Sequence, residues 1–154
     1  MTRRFEYEIF AECQQFFLQD ERAEEYPDWT GEEVYRLLAV QPRIMSVGTT
    51  SDTFVTVVVE INDSEPDEDM SVWDQVNEST LEITSGRLVI ACVGDGPLDA
   101  RRIEVLSGSY RARIYYGNLS LLTDDHYRVV LWRAPPGPLL VLKQRRQIHA
   151  CHWV

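Results

Sequence analysis

The chain has 154 residues, 44% of them hydrophobic and 26% charged, a length and balance that suit one hydrophobic core and exclude disorder of the body. A chain this long buries roughly 68–70% of its unfolded surface, so it needs no metal or disulfide to hold it together. The net charge is −10 and divides unevenly: residues 1–84 carry 20 Asp or Glu against 5 Lys or Arg, and residues 85–154 carry 5 against 10. Such a surface repels nucleic acid and anionic lipid and attracts a basic partner.

The apolar residues of the first twenty positions are interrupted by Glu6, Glu8 and Glu12, so they form no signal peptide. No stretch reaches the ~18 apolar residues of a membrane span. Cys13, Cys92 and Cys151 are too widely spaced for a disulfide framework and suit a reducing cytoplasm, where the protein is expected to reside.

Taken in chain order, Phe5-Glu6-Tyr7-Glu8-Ile9 alternates strictly and predicts a strand buried on one face. The pattern resumes at Phe16-Phe17-Leu18, as though that strand were long or bent. Asp20 to Pro27 reads as a charged connector. Thr30 and Glu33 then have the spacing of a capping box, with Val34, Leu37 and Leu38 at helical intervals and Pro42 beyond. Together they predict one short amphipathic helix over about 31–40.

Strand candidates follow closely. Arg43–Val47 is short. Thr53–Ile61 is apolar on both faces, as a central strand would be. Thr80–Thr84 alternates, and Leu88–Val93 runs apolar into the turn Gly94-Asp95-Gly96-Pro97. Arg102–Leu106 leads to Gly108, a hairpin position. Tyr110, Ala112, Ile114 and Tyr116 then face one way, with Arg111 and Arg113 facing the other. Tyr127–Trp132 precedes the breaker Ala134-Pro135-Pro136-Gly137-Pro138, and Leu139–Leu142 is expected as either a further strand or part of a C-terminal arm over 139–154. The expected architecture is a mainly β, antiparallel β-sandwich with one short helix, in a single domain over 1–154.

No constellation carries recognisable chemistry. Asp63-Ser64-Glu65-Pro66-Asp67-Glu68-Asp69 is dense in carboxylates but lacks the glycine and closing glutamate of a helix-loop-helix calcium site. His149, Cys151 and His152 lack paired zinc ligands elsewhere. Asp124-Asp125-His126 has no accompanying nucleophile, and the nucleophile elbow, phosphate loop and dinucleotide fingerprint are absent. Cys92 lies in an apolar run and is expected to fill core. The chain is therefore expected not to be an enzyme and to need no cofactor. Arg101, Arg102, Arg111, Arg113, Arg128 and Arg133 either form a cationic face or neutralise the acidic half from within.

Asp28-Trp29-Thr30 opening a helix, and Gly108-Ser109-Tyr110-Arg111-Ala112 closing a β-rich region, resemble the competence protein J family, which includes an inhibitor of a DNA-entry nuclease. Tyr127-Arg128-Val129-Val130-Leu131-Trp132-Arg133-Ala134-Pro135, with the tail from Gln147 to Trp153, is also similar to uncharacterised bacterial proteins of this size. The resemblance implies a β-sandwich that binds and blocks another protein. It transfers no binding residue.

The resulting expectation is a bacterial interaction module, of inhibitor or immunity type, for a basic protein such as a nuclease. Its contacts are expected at Glu65, Asp67, Glu68 and Asp69, with Glu24 and Glu25. The alternatives are a small-molecule site or unrecognised enzyme near Tyr110, Tyr116, Tyr127 and Trp132, or self-association through Trp29 or Trp73.

Overall fold

The computed structural model describes residues 2–96, 99–120 and 124–146. Its elements are β1 (Arg3–Phe10), β2 (Gln15–Asp20), α1 (Gly31–Arg36), β3 (Leu38–Gln41), β4 (Ile44–Gly48), β5 (Phe54–Asn62), β6 (Gln75–Ile83), β7 (Arg87–Ala91), β8 (Arg101–Glu104), β9 (Gly108–Gly117), β10 (His126–Arg133) and β11 (Leu140–Lys143). A six-stranded sheet has the order β1-β5-β10-β9-β6-β11, and a five-stranded sheet has the order β3-β4-β2-β7-β8. The mainly β sandwich expected from the sequence is present. The sheets are antiparallel except where β5 and β10 run parallel, with Val57 beside Tyr127 and Val59 beside Val129.

Period-two alternation builds the core. Val55, Val57 and Val59 of β5, Tyr127, Val129 and Leu131 of β10, and Tyr110, Ala112, Ile114 and Tyr116 of β9 face Phe16 and Leu18 of β2 and Leu88 and Ile90 of β7. The rings fill this space. Phe16 meets Tyr127 at 5.5 Å and Tyr116 meets Tyr127 at 5.6 Å, both edge-on. Three of the four aromatics considered for a small-molecule site, Tyr110, Tyr116 and Tyr127, are thus spent as core. Trp132 faces outward from the same sheet into a second apolar cluster with Val76, Tyr115 and Val130.

Three local expectations are corrected. Phe5–Ile9 and Phe16–Leu18 lie in different sheets, not in one bent strand. The chain turns between them at Cys13 and Gln14, whose φ angles of 59° and 57° are left-handed, and the corner is pinned by the Gln14 amide donating to Asp52 at 2.8 Å. The helix stops at Arg36, not residue 40, because Leu37 takes a left-handed φ of 62° and Leu38–Gln41 becomes a strand. The freed helix-end carbonyls are taken up inside: Tyr116 donates its hydroxyl to the Leu37 carbonyl at 2.6 Å, and Asn77 donates to that of Arg36 at 2.8 Å. Leu37 and Leu38 are buried beyond the helix, while α1 itself buries no residue, and the Thr30 hydroxyl bonds the Glu33 carboxylate rather than an amide. Finally, Gly108 is not a hairpin turn. It opens β9 after the chain has crossed from β8 in the opposite sheet.

Candidate partner-binding surface

Two segments, one irregular and one running into α1, dress the outer faces of the sandwich, and most of the acidic first half resides in them. Residues 63–74 hold six carboxylates and no basic residue, and residues 21–33 hold six carboxylates and one arginine. Each lies over a different sheet, because outward side chains of that sheet hold it there.

The first strap, 63–74, covers β9 and β10. Arg111 and Arg113 point outward from β9 and both donate to Glu78 on β6, each at 2.9 Å, in a group whose side chains are at most 8% exposed. Arg113 reaches on to Glu65 at 3.1 Å and to the Pro66 carbonyl at 3.2 Å. Arg128 of β10 binds Glu60 at 2.7 and 2.9 Å, and Glu68 at 2.5 Å through a second bidentate contact. These hydrogen bonds hold the Glu68 carboxyl below the usual carboxylate range. Asp69 accepts from the amide and the hydroxyl of Ser71 at 2.9 Å, which lowers its pKa in the same way. Lys143 binds the carbonyls of Met70 and Ser71. Trp73 rests on Tyr115 at 5.4 Å and on His126 at 5.2 Å. Arg113 and Arg128 also sit 5.3 Å from the ring centres of Trp132 and Tyr115.

The second strap, 21–30, runs into α1 over the five-stranded sheet. Phe17 alternates with the inward Phe16 and Leu18, and its outward ring takes Tyr26 at 4.9 Å. The Trp29 indole donates to Gln15 at 3.0 Å, and Ser46 donates to the same oxygen at 2.5 Å. Gly48 allows this approach: a Cβ there would come within 3.2 Å of the Trp29 ring and 3.1 Å of Leu37. Tyr26 remains 58% exposed, Val34 42% and Tyr35 44%. A cleft of about 610 Å³ opens at the beginning of the strap, among Arg22, Glu24, Glu25, Arg43 and Glu82. A shallower depression of about 180 Å³ opens at its end, among Gln15, Trp29, Val34 and Leu37.

The six carboxylates expected to contact a partner therefore belong to two straps on two sheets. Glu65, Glu68 and Asp69 are engaged within the chain. Glu24, Glu25 and Asp67 are exposed. The arginines mostly neutralise the acidic half from within: besides Arg111, Arg113 and Arg128, Arg87 and Arg102 pair with Glu21, whereas Arg101 pairs with Asp95 of its own half. Asp124 and Asp125 point apart, Asp124 to Asn118 and Asp125 to the Tyr127 hydroxyl, while His126 lies against Trp73. Cys92 is buried. His149, Cys151 and His152 lie outside the described residues. No helix among the described residues is long and apolar enough to cross a membrane. No sequence motif groups Tyr26, Trp29 and Tyr35; their signal is aromatic residues recurring among the carboxylates of residues 21–36.

No family model matches the chain, and no curated protein matches it. Two solved structures share its fold. One is ComJ, the inhibitor of the DNA-degrading activity of NucA from Bacillus subtilis, with a TM-score of 0.69 and 16% identity over 87% of this chain and 99% of that one. The other is the product of crocagin biosynthetic gene J, with a TM-score of 0.66 and 15% identity over 88% of this chain and 99% of that one. The likeness to competence protein J expected from the sequence holds at the level of fold.

Proposed function

We propose that the chain is an inhibitor-type interaction module for a basic protein partner, with no catalytic activity of its own. The observation that carries this reading is where the charge is left unspent. Six arginines of residues 85–154 are tied into ion pairs within the molecule, while Glu24, Glu25, Asp28 and Asp67 stay exposed. The net charge of −10 is thus turned outward through acidic groups.

A surface of that kind steers encounter with a positively charged partner and suppresses acidic ones. Nucleases are one such class, because they hold phosphates with basic groups, and the structural neighbour ComJ is named as an inhibitor of a DNA-degrading activity. The test is retention of host proteins on the immobilised, folded chain, followed by elution in a salt gradient. Basic proteins released at moderate salt support the reading. A folded bait that retains none overturns it.

A further inference from the structure

We propose that the partner docks on the segment 21–36, through a basic side chain entering the cleft at Glu24, Glu25 and Glu82 and an apolar side chain entering the depression beside Trp29 and Val34. The proposal rests on the interaction-module reading and adds to it a surface and a chemistry for the partner's contact segment.

Three independent features converge on this segment. Both concavities border it, the cleft at Arg22–Glu25 and the depression at Trp29 and Val34. Glu25 and Trp29 are four residues apart, which an extended chain spans in at most about 14 Å. One standard interface patch of ~800 Å² per partner covers both. Tyr26, Val34 and Tyr35 are exposed between and beside the concavities, and tyrosine and tryptophan are the side chains in which binding energy concentrates.

The charge is complementary to one occupant. Glu24, Glu25 and Glu82 line the cleft with Arg22 and Arg43, and the Arg43 charge is partly offset by Asp20 at 4.0 Å. Asp28 and Glu32, the latter 91% exposed, extend the acidic rim toward the helix. A basic group entering the cleft meets three glutamates against two arginines, with Asp28 and Glu32 adding negative charge nearby, whereas an acidic segment would be repelled. The other acidic strap offers no such surface, since Glu65, Glu68 and Asp69 already have partners and its Trp73 is stacked on Tyr115 and His126.

The test uses the full-length ¹⁵N-labelled protein and two synthetic twelve-residue probes, one of alternating arginine and leucine, the other of alternating glutamate and leucine. The arginine probe should shift the Trp29 indole and the amides of residues 22–36, leaving the Trp73 and Trp132 indoles in place. Glu24→Gln with Glu25→Gln should weaken it at least tenfold and flatten its salt response, as should Tyr35→Ser, while Glu65→Gln with Asp67→Asn should leave it within twofold. Unchanged amide spectra elsewhere certify that each variant is folded. Arginine-probe binding with shifts confined to residues 63–74 would overturn this surface while leaving the interaction module standing. Equal binding of the glutamate probe, or no binding of either, would sink the basic-partner reading together with the surface.

Discussion

Arg128 and Glu68 are sixty residues apart in sequence, yet they meet in a bidentate ion pair that fastens the 63–74 strap to the middle of the six-stranded sheet. The pair explains why the densest acidic run in the chain is not simply solvated: β10 presents an arginine on the face away from the core, and the strap lays a carboxylate over it. The Glu68 side chain is still 36% exposed, and water weakens such pairs. Glu68→Gln is expected to lower stability by only about 0.5–1 kcal/mol, measured as a shift in the urea midpoint with unchanged slope.

Glu78 is a different case. It sits between Arg111 and Arg113 with all three side chains at most 8% exposed, so removing its charge leaves two buried guanidiniums facing each other with only the largely exposed Glu65, on Arg113, as a counter-charge. Glu78→Gln is expected to cost about 3–5 kcal/mol, well beyond Glu68→Gln, in the same denaturation experiment. Comparable losses for the two variants would mean that Glu78 is hydrated.

Asp20 ties the end of β2 to the β6–β7 turn. Burial works against its ionisation, but hydrogen bonds from the Ser85 hydroxyl and amide at 2.5 and 2.9 Å and from Thr84 at 2.9 Å outweigh that and hold its pKa below the ordinary value. A folded pKa below the unfolded value of about 3.9 means the stabilisation is complete above it and drains away as the pH falls through the folded value. Wild type should therefore lose stability steeply below about pH 4. Asp20→Asn should be less stable at pH 7 and show a shallower acid limb, followed by urea titrations at pH 7, 4 and 2.5.

The strands were legible because alternation is local: Val55, Val57 and Val59 declare an inward face without knowledge of any neighbour. What lay beyond the sequence was long-range. The helix ends at Arg36 because Tyr116 and Asn77, some eighty and forty residues on, capture its last carbonyls, and no helical period in residues 34–38 registers that. The corner at Cys13 and Gln14 divides one apparent strand between two sheets through a contact to Asp52. At the candidate surface, the carboxylates of residues 63–69 and 24–25 look alike in sequence. Their difference lies in which arginines the sheet register places beneath them, and that register is set by the pairing of β9 with β6 and β10.

The two described cysteines should differ sharply in reactivity. Cys13 is exposed at the corner between β1 and β2, whereas Cys92 is buried past the end of β7. Burial first, and the neighbouring carboxylate of Asp95 second, push the Cys92 thiol up to about 11. At pH 8 its thiolate is then populated about one part in a thousand, against roughly a quarter for an unperturbed thiol of pKa about 8.5, and only the thiolate attacks a disulfide reagent. In a Cys151→Ser background, one thiol per folded molecule is expected to react promptly with an aromatic disulfide reagent at pH 8. Cys13→Ser should abolish that phase, and Cys92 should react at least a hundredfold more slowly until urea unfolds the chain. Prompt labelling of Cys92 in the native protein would show that the β7 end opens on the timescale of the reaction, and that the five-stranded sheet frays beside the Asp95 turn.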